Sequence, residues 1–294
     1  MKSQSTMKRT APASSPLIAL EQIRRMRGGA QSHLMRCLDG NYYVVKFPNN
    51  PQGIDVLANE FVGGRIAELL GLSVSPGAVV YVDPELVRLS EEMYILKLPD
   101  KVPCQAGLCF GSRFPIDLSK GQFIDFPDSV PTSHGVVHDI LPDKFLGDVE
   151  NVAEFLGMLV FDLWTCNSGG RQVVFVRKES HLPCSAQMID QGFCFRGYIE
   201  KFNALRSTYN RWRVYKNVRS IDAFEPWLTL VEQIDEEALA TAAVGIPNCW
   251  YADNDALGNL LDRLYAERNK VRELLFSLRN VTDNLFPNWI DGSC

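Results

Sequence analysis

Apolar and polar positions change their rhythm about halfway along the chain. From about Leu17 to Phe114 short strand-like runs dominate, interrupted by one helical stretch. Tyr42 to Phe47 (YYVVKF) is β-branched and aromatic, and Asp39-Gly40 before it is a hairpin turn signal, so His33 to Leu38 is expected to be the partner strand. Val56 to Leu70 carries Leu57, Phe61, Ala67 and Leu70 close to helical spacing, and Gly71 follows as a C-terminal stop. Val79 to Val82 and Met93 to Leu98 read as further strands.

From about Asn151 the period lengthens. Val152 to Cys166 reads as an apolar helix, Gln172 to Arg177 and Gln187 to Ile189 as short strands. Leu257, Leu260, Leu261, Leu264, Val271, Leu274, Leu275 and Leu278 fall at steps of three, four and seven, which predicts one long amphipathic helix packed on the helical region. Lys120 to Ser133, with its prolines and acidic residues, reads as a loop. The fold class expected is α+β with two lobes. Residues 1–16 are expected to be a disordered tail, 17–116 a strand-rich N-terminal lobe, 117–150 a connecting loop region, and 151–294 a helical C-terminal lobe.

Composition narrows the function classes. The 294 residues suffice for one large domain or two small lobes, and 46% hydrophobic with 22% charged residues is the balance of a soluble globular chain. A net charge of -5 argues against nucleic acid as the main partner. Arg206, Arg211, Arg213, Lys216 and Arg219 could still form a local basic patch, although a solvated charged face explains them as well. No apolar run has the length of a membrane span, and Met1 to Pro16 lacks the apolar centre of a secretory signal. The eight cysteines form no CxxC pair and have no histidine at metal-ligand spacing, which reads as buried reduced thiols and a cytoplasmic protein.

Several residues carry the parts that phosphoryl transfer needs. Gly28-Gly29-Ala30-Gln31-Ser32-His33 precedes a strand, so its backbone N–H groups and the Ser32 hydroxyl could cradle phosphates, and a plain turn would have the same composition. Lys46 lies in the strongest strand signal of the chain, where a surface lysine is the plain alternative. Glu60, fourteen residues later on the following helix, is spaced to pair with it. Asp190, in Met188-Ile189-Asp190-Gln191-Gly192-Phe193, closes an apolar strand as a magnesium-binding aspartate does. Between a helix and a strand lies Asn167-Ser168-Gly169-Gly170-Arg171-Gln172, where a catalytic loop would stand.

Taken together, YYVVKFPNNPQG (Tyr42 to Gly53), NEFVGGRIAELLGL (Asn59 to Leu72), FGSRF (Phe110 to Phe114), FDLW (Phe161 to Trp164), NSGGRQVVFVR (Asn167 to Arg177) and MIDQGFCF (Met188 to Phe195) resemble the HipA-like kinases. The likeness extends to Ile246-Pro247-Asn248-Cys249-Trp250-Tyr251 and is strongest to a bacterial branch of short, stand-alone members. It implies a two-lobed protein-kinase-like fold and the use of ATP and Mg2+. By resemblance, Gly28, Gly29, Ser32 and His33 would cover the phosphates, Lys46 would contact them and Glu60 would support Lys46. Phe110, Gly111, Ser112 and Arg113 would belong to the hinge behind the adenine. Asn167, position 169 and Arg171 would form the catalytic loop, and Asp190 and Gln172 would serve the metal.

One departure bears on activity. The branch usually reads Asn-x-Asp-x-Arg-Gln in that loop, and its aspartate, the family's presumed base, falls at Gly169. Loss of a positioned base costs roughly 100- to 10,000-fold in rate. Asp162, two helical turns earlier, is placed to support the loop rather than to replace the base. The expectation is a kinase acting on a protein hydroxyl and impaired at Gly169, or a pseudokinase that binds nucleotide as an interaction module. The protein partner is not readable from the sequence.

Overall fold

A computed structural model of the chain describes residues 15–116, 136–138, 143–178, 182–196, 213–251, 254–281 and 285–290. The expectations for residues 1–14 and for the loop Lys120 to Ser133 lie outside these, as do Arg206 and Arg211.

The N-terminal half is a closed barrel. Its strands are β1 (Leu17–Arg25), β2 (His33–Cys37), β3 (Tyr42–Lys46), β4 (Gly77–Val82) and β7 (Gly107–Arg113), in the order β1-β2-β3-β7-β4. Parallel pairing of Leu17 with Val80 and Ile18 with Tyr81 brings β1 onto β4. Alternation along β3 decides what each side chain does. Tyr43 and Val45, with Phe47 just beyond, enter the barrel core beside Met35, Cys37, Val80, Val82 and Cys109. Tyr42 and Val44 pack on the other side, in a separate apolar cluster that turns toward the C-terminal half. A hairpin of β5 (Tyr94–Lys97) and β6 (Asp100–Pro103) and a short helix, α2 (Pro84–Leu89), complete this half.

Helix α1 (Asp55–Leu69) follows β3 and ends where the sequence signals it. Gly71 adopts φ +67, its N–H donates to Glu68 O at 2.9 Å and the Leu72 N–H to Ala67 O at 3.0 Å, a Schellman arrangement that only a residue at ease with positive φ closes cheaply. The first half of α1 (Val56, Leu57, Ala58, Phe61) packs with Phe110 and Trp250. Its second half (Val62, Ile66, Ala67, Leu70) belongs to the core of the C-terminal half.

That second core gathers around helix α3 (Glu154–Trp164), whose Phe155, Met158, Leu159, Val160, Phe161, Leu163 and Trp164 are buried. A sheet in the order β10-β9-β8 covers it, built from β8 (Val136–His138), β9 (Gln172–Arg177) and β10 (Ser185–Ile189). Helices α4 (Trp227–Gln233), α5 (Glu236–Ala242), α6 (Asn254–Glu267) and α7 (Val271–Val281) contribute Leu228, Val231, Leu239, Leu264, Val271, Leu275 and Leu278. No described helix is long and apolar enough to cross a membrane.

Two boundaries differ from expectation. The single long helix over Leu257–Leu278 is two helices, separated by a 3-10 turn at Arg268–Lys270. The apolar phase survives because Leu264 and Val271 are two helical turns apart, but the halves have different neighbours, α5 for α6 and α3 for α7. The connecting region 117–150 is not all loop, since Val136–His138 pairs with β9 and Asp143–Asp148 forms a 3-10 turn. A hydrogen-bonded strand ties this part to the second half.

His33 is fully buried, with its ring edge-on to Phe47 at 5.3 Å and its Nε2 3.5 Å from Cys104 Sγ. Burial, with the nearby Arg25 charge adding to it, pulls its pKa down to about 4. The folded protein thus keeps His33 neutral where the unfolded chain takes up a proton. Between about pH 6.5 and pH 4 acidification should lower stability by at most about tenfold in the folding equilibrium per pH unit. Urea midpoints at pH 7, 6 and 5 measure the slope, which His33→Leu should flatten.

Candidate functional site

A buried charge cluster joins the two halves. Lys46 closes β3 on the face opposite the barrel core, and only 7% of it is exposed. Its ammonium donates to Glu60 Oε1 on α1 and, at 2.6 Å, to Asp190 Oδ1 just beyond β10. The other carboxylate oxygens are engaged as well. Glu60 Oε2 accepts the Gln191 N–H at 2.9 Å, and Asp190 Oδ2 accepts Gln172 Nε2 at 2.9 Å. Asp190 adopts φ +62, a left-handed turn that aspartate tolerates better than most residues. α1 can approach this turn because a Cβ on Gly192 would stand 2.7 Å from Val56 Cγ1, and one on Gly63 would stand 2.9 Å from Gln191 Cβ.

The electrostatics follow from one cation between two anions. Burial alone would lower the Lys46 pKa, but the two carboxylates outweigh it and hold the lysine above its ordinary value. Burial keeps Glu60 above the usual carboxylate range despite Lys46. For Asp190 the charge and hydrogen bond of Lys46 outweigh burial, so its pKa is depressed. With both carboxylates ionised the cluster carries a surplus negative charge, and Asp190 offers hard oxygen donors beside the Gln172 amide. That donor set suits a magnesium ion, which takes one or two carboxylates and fills its other positions with water and phosphate oxygens.

The segment after α3 is organised around Asp162. This carboxylate, fully buried, accepts Arg171 Nε at Oδ2 (3.0 Å), Arg171 Nη2 at Oδ1 and Asn167 Nδ2 at Oδ1 (2.8 Å). Arg171 also donates to Ile189 O at 3.2 Å, which fixes the end of β10 next to Asp190. Asn167 and Arg171, expected as members of a catalytic set, are turned inward, and their side chains hold the loop's shape. The Gly169 N–H donates to Asn167 Oδ1 at 3.0 Å. The loop is clipped to the Asp190 turn by Ser168 N to Phe193 O (3.1 Å) and Phe195 N to Thr165 O (2.7 Å). A Cβ on Gly169 would lie 2.9 Å from Phe193 Cβ, so no side chain fits there without movement.

The glycine-rich segment forms the β1–β2 connection, with Gly28 at φ +119. Gln31 fastens it to the β5–β6 hairpin by accepting the Leu96 N–H at 2.7 Å and donating to Leu96 O at 3.0 Å. On its other side Gly29 abuts Gln52, since a Cβ there would stand 2.9 Å from Gln52 Nε2. His33 does not face the charge cluster, because strand alternation turns it into the barrel beside Phe47. Phe110, Gly111, Ser112 and Arg113 are not a hinge but most of β7, paired with β3 and β4, and the Phe114 N–H donates to Tyr42 O. Their backbone groups are spent in the ladder.

Sequence reasoning missed the apolar cluster that packs the two halves together. Leu34, Val44, Phe114, Val174 and Val176, with Met26, Tyr42, Ile116 and Ile189 at its margin, meet between the halves. Alternation two residues before Lys46 could have found Val44, but the other walls come from distant strands. Of the expected basic patch, Lys216 and Arg219 are exposed, and neither adjoins the cluster in any described contact.

A five-stranded barrel with one large helix, joined through a buried Lys–Glu–Asp cluster to a mainly helical half, defines a two-lobed, kinase-like α+β fold. Residues 20–129 match the sequence model of the HipA-like kinase family, so the resemblance drawn from the sequence is borne out over that segment. In structure the chain is similar to a Helicobacter pylori proinflammatory kinase, CtkA (TM-score 0.50, 12% identity, 90% of this chain and 97% of that one). It is also similar to the Golgi casein kinase (TM-score 0.50, 12% identity, 92% and 74%). At these identities the likeness is one of fold. No curated protein matches the chain in sequence.

Removing one partner of a buried ion pair leaves the other charged and desolvated. Arg171→Met should therefore cost about 3–5 kcal/mol in chemical unfolding. Replacing the exposed Gln172 by Ala should change stability by no more than about 0.5 kcal/mol.

Proposed function

We propose that this chain is a HipA-like, kinase-fold protein that binds ATP with magnesium and transfers phosphate to a protein Ser/Thr hydroxyl, at a rate impaired by Gly169. The observation that carries this reading is the buried Lys46–Glu60–Asp190 cluster that joins the two halves. Lys46 would bind the ATP phosphates, held in place by Glu60. Asp190, aided by the Gln172 amide, would hold the metal, which when bound offsets phosphate charge during transfer. The Gly28–Gly29 segment, anchored through Gln31, would cover the phosphates with backbone N–H groups. Residues 17–116 form the nucleotide-binding lobe in this reading, and the second lobe begins no later than β8. The acceptor class rests on the resemblance to HipA-like kinases. The unpaired thiols buried at Cys37, Cys104, Cys109, Cys184 and Cys194 fit a reducing compartment such as the cytoplasm.

A second reading, a pseudokinase that binds nucleotide as an interaction module, is favoured by Phe193. Its side chain packs where a side chain at 169 would begin, so the loop is closed around the absence of a base.

ATP with Mg2+ at about 100 times its Kd should stabilise the native state by about 2.7 kcal/mol, seen as a rise in Tm. Lys46→Met and Asp190→Asn should each remove most of that rise, and no rise in the wild-type protein would overturn both readings. Radiolabelled phosphate transfer separates them. Transfer by the wild type supports the kinase, whereas transfer only in Gly169→Asp combined with Phe193→Gly, which removes the Cβ as well as the ring, supports the pseudokinase.

A further inference from the structure

The segment Ile246–Tyr251 is part of the likeness to HipA-like kinases, yet the site just described gives it no role. After α5 the chain turns at Gly245 (φ +86) and crosses the outer side of α1. It then forms a 3-10 turn, Asn248–Trp250. Trp250 is fully buried, although it belongs by sequence to the C-terminal half and packs in the N-terminal one. Its indole N–H donates to Leu108 O of β7 at 3.0 Å, and its ring stands edge-on to Phe61 at 6.1 Å. Val56, Leu57, Ala58 and Phe110 enclose the rest. Arg65, one turn further along α1, reaches the same segment by donating to Val244 O and, at 3.4 Å, to Ala242 O, with its guanidinium 4.1 Å over the Phe61 ring.

These contacts grip α1 on both sides of Glu60. Phe61 is its neighbour in the chain, Leu57 and Arg65 lie about one turn away, and Leu108 ties the grip to the central strand next to β3. An ion pair at hydrogen-bond distance tolerates little sliding of the helix that carries one partner. We infer that the strap from Ala242 to Tyr251 is an intramolecular brace for α1, with Trp250 the positioning residue that keeps Glu60 on Lys46. The functional consequence rests on the reading of Lys46 as a phosphate-binding lysine. The brace itself is a statement about α1, and it can be tested without nucleotide.

Hydrogen exchange on the nucleotide-free, full-length protein tests the brace. In Trp250→Leu, exchange over 55–69 should quicken by about tenfold while β2, β3 and α7 keep their protection. Trp250→Phe, which keeps an aromatic ring against Phe61 but loses the bond to Leu108 O, should fall between wild type and Trp250→Leu. Unchanged exchange over 55–69, or an even loss of protection along the chain, overturns the brace. Should Trp250→Leu fail to fold, Arg65→Gln removes only the guanidinium grip and must show the same local loosening for the brace to stand. Calorimetry adds the functional arm. Trp250→Leu should weaken ATP–Mg2+ by about tenfold and leave adenosine, which lacks phosphates, within about twofold. Equal weakening of both ligands would overturn Trp250 as a positioning residue for Lys46. A wild-type protein that binds no ATP overturns the nucleotide reading instead, and the exchange result then decides the brace alone.

Discussion

An ammonium group buried between two carboxylates is expensive to assemble, and much of this molecule is arranged around meeting that expense. Taking each ion out of water costs several kcal/mol, recovered only when the partners stand at hydrogen-bond distance and their spare oxygens are also satisfied. Lys46, Glu60 and Asp190 come from a strand, a helix and a turn, and the last lies 144 positions after the first. Close approach of α1 depends on Gly63 and Gly192. The register of the Asp190 turn depends on Arg171, which reaches Ile189 O from the Asp162 hub. The fold class and the charge cluster are therefore one problem, because each exists only where the other is built correctly.

Local signals were legible in the sequence, and long-range directions were not. The span of β3, the extent of α1 and its stop at Gly71 all appear in the chain's own periodicity and turn chemistry. Lys46 and Glu60 could be paired because a strand and the helix after it leave few ways to arrange them. His33 was misread because composition alone does not say which face of a strand a residue takes. One position of alternation separates the barrel core from the opposite face. Phe110 to Arg113 were misread because a central strand and a hinge can share a sequence, and only the ladder shows that the backbone is already spent. Asn167 and Arg171 looked catalytic by position, but a buried carboxylate eleven residues into the preceding apolar run claims them both. The break at Arg268–Lys270 left no trace in the apolar phase, since seven residues return a helix to the same face.

The loop at Gly169 is packed closely against the turn that carries Asp190. Its backbone is stitched to the Asp190 turn at two points, and the Phe193 side chain lies against the glycine. The Lys46–Glu60–Asp190 cluster stands on one side of this stitching, and Gly169 with Phe193 against it on the other. In the proposed reading, holding a nucleotide and using it fall to different segments with different packing constraints.

Helix α1 is shared between two cores, and this bears on how the chain folds and where it can be cut. Val56 to Phe61 complete the barrel side, and Val62 to Leu70 complete the helical side. A fragment ending near residue 116 would leave Val62, Ile66 and Leu70 facing water, each forfeiting about 1.5–3 kcal/mol of burial. A fragment beginning after the barrel would lack the wall those residues supply. The two lobes are thus distinct in architecture but not in thermodynamics. They should melt as a single cooperative unit.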